Sequence, residues 1–502
     1  MSAWNFVRKS FYQDSVTLMR LTRDMEALPG VQRATAMMGT PSNRALLKEA
    51  GLLTAEGDAA GPTDLVIAVA ADTREAAEAA RAAAEAALTT RRAATAARAA
   101  QRPRTLESAL KALPGATLAL ISVPGSYAAA EARKALAAGL HVMLFSDNVP
   151  LADEVALKRL ARERGLFLMG PDCGTAIVNG VPLGFANAVP RGRIGVAAAS
   201  GTGLQAVTCH VAAAGEGISQ AIGVGGRDLS DEVGGLTMEQ ALDALAADPA
   251  TSVICVLGKP PGPSTAKKVR AWIDRLGKPA VVHFLGDAAA STTPSLEDAA
   301  LAAVALARGA THTPAEFTLP PDAVSRLVEN AARALSPGQK FVRGVYSGGT
   351  LAYEAIGILK ARLADVASGV TGGGGGHRLV DLGADVFTVG RPHPMIDGTV
   401  RREWIEKEGA DPATALLLLD VVLGWGAHAD PAGEILPAIH NARRAAKAAG
   451  RGLAVVAAVC GAPGDPQGLA AQTAALEAAG VIVLPSNAQA ARLAALVVAP
   501  RR

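Results

Sequence analysis

What constrains this chain most is a recurring order: a short apolar run, a turn rich in glycine and serine, then a helical stretch rich in alanine. Apolar runs alternating with helical segments make βαβ units, and these build parallel sheets. From residue 105 the expected order is helix 106–113, strand 118–123, helix 128–138, strand 142–145, helix 152–164 and strand 166–169. A further unit opens with strand 194–198, which runs into Ser200-Gly201-Thr202-Gly203 and helix 204–214; strands follow at 220–224, 253–257 and 280–285. The last unit opens the same way, with strand 341–346, Ser347-Gly348-Gly349-Thr350 and helix 351–361. It continues with strand 415–423, helix 434–449, strand 454–460, helix 468–479 and strand 481–484. Two units that both begin strand, Ser-Gly turn, helix amount to an internal duplication.

The N-terminal part differs. Residues 1–88 suggest strand 14–18, helix 22–28, strand 31–38, a turn at 39–43, strand 65–70 and helix 73–88, an order that fits a small ferredoxin-like or ACT-like α/β module. Segment 89–104 carries basic charge without apolar periodicity, as a linker or solvated helix would. It has no interleaved aromatic residues, which argues against a nucleic-acid arm.

With 502 residues there is room for about three to four domains. The 49 basic and 46 acidic side chains nearly cancel, leaving no electrostatic case for nucleic acid or a membrane surface. Cys173, Cys209, Cys255 and Cys460 are far apart and form no CxxC pair, so neither a disulfide framework nor a metal ribbon is expected. The N-terminus has no apolar leader and no uncharged run reaches spanning length, so the expectation is a cytoplasmic protein.

A helix start leaves backbone N–H groups unpaired and carries partial positive charge. Glycine lets a ligand approach the backbone, and Ser or Thr adds a hydroxyl donor. Ser200, Gly201, Thr202 and Gly203, with Ser347, Gly348, Gly349 and Thr350, are therefore candidate phosphate ligands. A single such turn is more often an ordinary capped βα turn; its recurrence at the head of two units favours phosphate. Neither turn continues into the Gly-Lys-Ser/Thr of a Walker loop. Gly225, Gly226 and Asp172 lie at the expected carboxyl ends of other strands, where ligands of parallel sheets gather.

Residues 118–286 resemble the α subunit of succinyl-CoA synthetase. The matching pieces are VPGSY (123–127), SDNVP (146–150), GPDCGTAIV (170–178), RIGVAAASGTG (193–203) and IGVGGRDL (222–229). The part from 341 resembles the C-terminal domain of the β subunit. With GTPSNRALLKEAGLL (39–53) and GRPHPMIDGTVR (390–401), the whole chain resembles the FdrA family of fused α-like and β-like ligase domains. The resemblance implies a Rossmann-like CoA-binding-type domain at 105–190 and flavodoxin-like ligase domains at 191–310 and 338–502. In succinyl-CoA synthetase two helix starts, one from each subunit, stabilise a phosphohistidine; the resemblance puts those starts at Ser200 and Ser347.

Departures from the ligase pattern narrow the chemistry. The stretch 286–300 holds no histidine where the ligase has its phosphorylated one, and no ATP-grasp domain is present. Segment 89–104 holds no glycine where a pyrophosphate loop is expected, so CoA is not expected to bind tightly. The resemblance implies a subunit of an acyl- or carbamoyl-transfer enzyme acting with partner subunits, of the oxamate carbamoyltransferase type in purine and allantoin breakdown. Carbamoyl phosphate is then a substrate. A synthetase with parts on another chain and a non-catalytic scaffold are the alternatives.

Other residues carry two readings each. His393 lies between two prolines and so on a loop, where it serves either substrate binding and acid–base work or loop bracing. Asp397 and Arg401 follow it; Arg401 either forks onto a substrate carboxylate or makes a surface salt bridge. His428 is expected at a strand's carboxyl end and is a further catalytic candidate. Asp420, inside an apolar strand, is either functional or paired locally, with local pairing favoured. His377, after five glycines, suggests a flexible loop, His283 a packed core residue and Cys173 a small buried hydrophobe.

Overall fold

A computed structural model describes residues 1–502 except 1, 12, 14, 97–102, 287–292, 334, 368–375, 389–390 and 500–502. The chain divides into two compact units, residues 1–112 with 388–392, and residues 113–387 with 393–502.

The first unit holds an antiparallel sheet of β1 (Ser2–Arg8), β2 (Val31–Met38) and β3 (Leu65–Ala71) in the order β1-β3-β2. The strand expected at 14–18 is instead part of a helix, Ser15–Glu26. Its Leu18, Leu21 and Met25 recur at helical spacing and are buried, so the 3.6-residue period prevails there over short-range β tendency. The strand lies earlier, in β1, which pairs along its whole length with β3. The helix after β3 runs Arg74–Ala96, covering the first half of the basic segment; residues 97–102 lie outside the described residues.

The second unit contains three sheets. The smallest is parallel: β4 (Leu118–Ile121), β5 (His141–Leu144) and β6 (Leu168–Met169). Next come β7 (Thr175–Val178) and β8 (Val181–Gly184), a hairpin closed by Asn179-Gly180, both at positive φ as a two-residue I′ turn requires. By sequence the hairpin falls in the segment 105–190. In the structure β7 pairs with β10 and extends the following sheet, so that sheet begins earlier than residue 191. Its other members are β9 (Arg191–Ala199), β10 (Ile218–Gly223), β11 (Val253–Gly258) and β12 (Ala280–Phe284), in the order β12-β11-β9-β10-β7-β8.

The third sheet is wholly parallel, with β13 (Phe341–Tyr346), β14 (Arg378–Asp381), β15 (Thr414–Val422), β16 (Ala454–Cys460) and β17 (Ile482–Leu484) ordered β14-β13-β15-β16-β17. In both large sheets the strand preceding a Ser-Gly turn, β9 or β13, has sequence-later strands on either side. The carboxyl end of such a strand is a topological switch point, where ligands of open α/β sheets bind.

One apolar core runs through both large sheets, from Val196 and Leu204 through Leu351 and Ala355 to Leu416 and Leu493. The small parallel sheet is tied to its larger neighbour by a buried cation. Lys158, on the helix Leu151–Glu163, donates to the Val224 carbonyl at 2.8 Å and pairs with Asp228 and Glu154. Removing one partner of a fully buried ion pair leaves the other charge uncompensated. Lys158→Ala should therefore cost about 3–5 kcal/mol in denaturant titration; a loss below about 1 kcal/mol would mean that the pair is not buried in solution.

Candidate functional site

The site is built where β9 and β13 end. Each strand hands over to a helix, Gly201–Ala213 and Gly349–Lys360. Ser200 caps the first, its Oγ accepting the Gly203 N–H at 2.9 Å. The same Oγ lies 2.6 Å from Thr350 Oγ1, so the two helix starts touch. Contact is close on both sides. A Cβ added at Gly348 would lie 2.9 Å from Thr202 Cγ2, and one at Gly203 would lie 3.0 Å from Thr350 Cγ2.

Two positive helix ends brought together need negative charge nearby. Part of it is supplied by Asp420, on β15 and fully buried. Its carboxylate accepts the Ser347 N–H at 2.9 Å, the Gly348 N–H at 2.7 Å and the Ser347 hydroxyl. The N–H groups of Gly201, Thr202, Gly349 and Thr350 meet no acceptor among the described residues. Those four amides, two from each helix, are free for an anion.

Arg401 departs from the expected substrate fork. It is 3% exposed and donates to Asp420 Oδ1 at 2.8 Å, to the Asp420 carbonyl and to the Val345 carbonyl at 3.2 Å. Its helix, Thr399–Ala410, buries Arg401, Ile405 and Glu408 on one face, and that face turns the guanidinium inward. Arg401 therefore holds the carboxylate that caps the second turn. Asp420 is paired locally, as its apolar strand suggested.

His393 does reach the site. A Cβ added at Gly383 would lie 2.7 Å from His393 Nε2, 2.8 Å from the Ser347 carbonyl and 3.2 Å from Asp381 Oδ1, so these three groups surround one point. The His393 ring packs on Phe185 with centroids 5.5 Å apart, and its Nδ1 accepts the Met395 N–H at 3.2 Å. Burial pushes its pKa down to about 4, against the pull of Asp147. At neutral pH the ring is thus uncharged, with its proton on Nε2 as a donor.

Asp397 and His428 do not join this group. Asp397 accepts the Thr399 N–H at 2.8 Å, at the start of the helix that carries Arg401. His428 Nδ1 accepts the Asp430 N–H at 3.1 Å, and its own N–H donates to the Met395 carbonyl at 2.7 Å. Neither residue's hydrogen bonds reach either Ser-Gly turn; both brace the loop behind His393. Gly225, at φ +92, lets its backbone pack against the Pro171 carbonyl, and Gly226 lies against Asp172. His377 accepts the Val342 N–H at 3.0 Å and is buried at an isolated bridge just before β14; the glycines at 372–375 lie outside the described residues. His283 is buried on β12, its Nδ1 3.0 Å from the Thr293 carbonyl.

Three residues beyond those expected lie around the helix starts. Asp381 ends β14 and is 6% exposed. Burial is the main cause that raises its carboxyl; the Gly383 N–H and Lys259 pull it down, Asp420 and Asp172 push it up, and the net value is about 7. Lys259 follows β11, is exposed, and sits 5.2 Å from the Tyr353 ring. It also opposes the rise of Asp172, whose carboxyl is lifted to about 6 by desolvation first and then by Asp147 and Asp385. Thr175 is 1% exposed, its Oγ1 has no hydrogen-bond partner among the described residues, and a Cβ at Gly201 would lie 3.8 Å from that oxygen. Orphaned buried hydroxyls are rare and point to an absent partner. Position at the carboxyl end of a strand was the available signal for Lys259.

Residues 191–286 match the CoA binding domain family and residues 345–497 the CoA-ligase family. Residues 1–104 match the family described as AllF, heavy metal-associated domain. That segment contains neither Cys nor His, so it offers no thiolate or imidazole to a soft metal. The uncharacterized protein YahF of Escherichia coli (strain K12) is 39% identical over 511 residues, covering 98% of each chain. Subunit alpha 1 of the ADP-forming succinate–CoA ligase of Archaeoglobus fulgidus is 31% identical over 186 residues, covering 36% of this chain and 62% of its own length. A dinucleotide-forming acetyl-coenzyme A synthetase of Ca. Korarchaeum cryptofilum, solved in its apo form, is 17% identical, with 76% of this chain and 82% of its own covered and a TM-score of 0.30.

Arg401→Ala should destabilise the protein by about 3–5 kcal/mol, because it strands the buried Asp420 carboxylate. Arg401→Ala with Asp420→Asn should recover part of that loss. A single variant as stable as the wild type in chemical denaturation would return Arg401 to the substrate.

Proposed function

The chain belongs to the same family as YahF of Escherichia coli, and on that premise we propose that it is a subunit of an acyl-transfer enzyme that handles a phosphorylated acyl group. Its CoA-ligase and CoA-binding domains are of the kind that perform acyl transfer. The observation that carries the reading is the meeting of two helix starts with four amides open to an anion. Phosphate bound there would be held by N–H groups from both halves of the second unit. When phosphate departs from an acyl carbon it takes the bonding pair, and those N–H groups stabilise the charge that develops on its oxygen. Lys259, exposed beside the cleft, favours the arrival of an anionic substrate.

The finer assignment is carbamoyl transfer of the oxamate carbamoyltransferase type, as the resemblance to FdrA proteins suggests. In that reaction the oxamate nitrogen attacks the carbonyl carbon of carbamoyl phosphate, the carbon–oxygen bond to phosphate breaks, and the nitrogen loses a proton. Neutral His393 would orient the carbonyl as a hydrogen-bond donor. Partner subunits complete the assembly in this reading, and CoA takes no part in it.

A second reading, an ADP-forming acyl-CoA ligase, is favoured by the similarity to succinate–CoA ligase α subunits. The two separate on one result: phosphoprotein that is acid-labile and base-stable after incubation with labelled ATP supports the ligase.

Gly201→Val tests the phosphate reading. A Cβ there meets only Thr175 Oγ1, at 3.8 Å, so the fold should tolerate it while the side chain blocks the amides. Calorimetric titration should show phosphate binding to the wild type and at least about tenfold weaker binding to the variant, the loss of roughly one charge-assisted hydrogen bond. Equal affinities would remove phosphate from this cleft.

A further inference from the structure

We propose that Asp381 is the proton-bearing ligand of the bound anion: as a carboxylic acid it donates a hydrogen bond to a phosphate or acyl phosphate oxygen held at the two helix starts. The inference rests on the phosphate reading above and adds to it a residue and a proton.

The geometry is particular to this carboxyl. β14 pairs in parallel with β13, Tyr346 opposite Asp381, so Asp381 emerges beside the Ser347 turn. Its Oδ1 accepts the Gly383 N–H at 2.9 Å. Its Oδ2 takes no hydrogen bond from any described residue, and Asp381 makes no ion pair among them. That oxygen stands where a Cβ on residue 349 would be, and only glycine there lets the carboxyl approach the first turn of the helix. The residue is nonetheless 6% exposed. An accessible carboxyl oxygen without a protein partner among the described residues, set in a residue otherwise largely buried and beside amides without acceptors, marks a place where a further polar group can bind.

A carboxylate there would repel a phosphate or sulfate dianion, whereas the neutral acid offers it a donor. The groups facing Asp381 decide which form is present. Asp420 on β15 and Asp172 on the loop after β6 disfavour its charge, and Lys259 at the end of β11 favours it. His393, across Gly383, is neutral. Burial is the largest influence, and together they place the proton's loss at about pH 7. Below that pH the acid is protonated and ready to donate; above it, anion binding must take up a proton. Affinity for a dianion should then fall about tenfold per pH unit above 7.

The test uses the full chain and sulfate, whose own charge does not change over the range. Calorimetry at pH 6 and pH 8.5 should give about 30-fold weaker binding at the higher pH, with proton uptake visible as a dependence of the heat on buffer ionisation. Asp381→Asn keeps a donor and cannot ionise. It should bind sulfate with little change between the two pH values and at least tenfold more tightly than the wild type at pH 8.5. Asp381→Ala, which lacks the donor, should bind weakly at both. Parallel pH curves for wild type and Asp381→Asn would overturn the assignment while leaving the anion site intact. Sulfate and phosphate binding by none of the proteins at either pH would overturn the anion site and this inference together.

Discussion

Two helix starts pressed against each other are the constraint on which the second unit turns. Each carries about half a positive charge, and their repulsion at a few ångströms is on the order of 1 kcal/mol. The contact between Ser200 and Thr350 holds them in place regardless. Asp420 answers the charge at one of them, and Arg401 holds Asp420. What is left is a pair of helix starts whose four amides have no acceptor among the described residues, which is a means of binding an anion.

Further bonds keep the two halves in register around that contact. Gln205, on the helix after Ser200, donates to the Leu423 carbonyl at 3.0 Å, and Asn187 donates to Asp465 at 2.7 Å. Glu354, on the helix after Ser347, accepts the Leu296 N–H at 2.8 Å, and Glu297 accepts from Ser486 at 2.6 Å. All are buried, so each would be expensive to break without replacement. Precise fixing of the helix starts matters for catalysis, because donors stabilise a developing charge only if they are already aimed at it.

Much of this was legible in the sequence, and the reasons differ by element. The duplicated strand, Ser-Gly turn and helix stood out because both apolar periods change at the turn. The helix Thr399–Ala410 is masked in the sequence by the loop-like PHPMIDG before it, although Arg401, Ile405 and Glu408 have helical spacing. Without that helical face in view, nothing in the sequence shows that Arg401 points inward to Asp420. β14 was hidden by its length of four residues after a run of glycines, and Asp381 went with it. The β7–β8 hairpin carried a plain Asn-Gly signal. Its pairing with β10 could not be foreseen, since sheet partners distant in the chain leave no local trace. Which carboxyls keep their protons is likewise a property of packing, not of any segment.

The central claim is that an anion completes the meeting of the two helices. A crystal structure of the protein grown with tungstate, a heavy tetrahedral oxyanion, tests it most directly. The account predicts anomalous density within hydrogen-bond reach of the amides of Gly201 and Thr202 and of Gly349 and Thr350, with Asp381 Oδ2 turned toward it. Tungstate bound elsewhere, with those four amides paired to the protein itself, would contradict it.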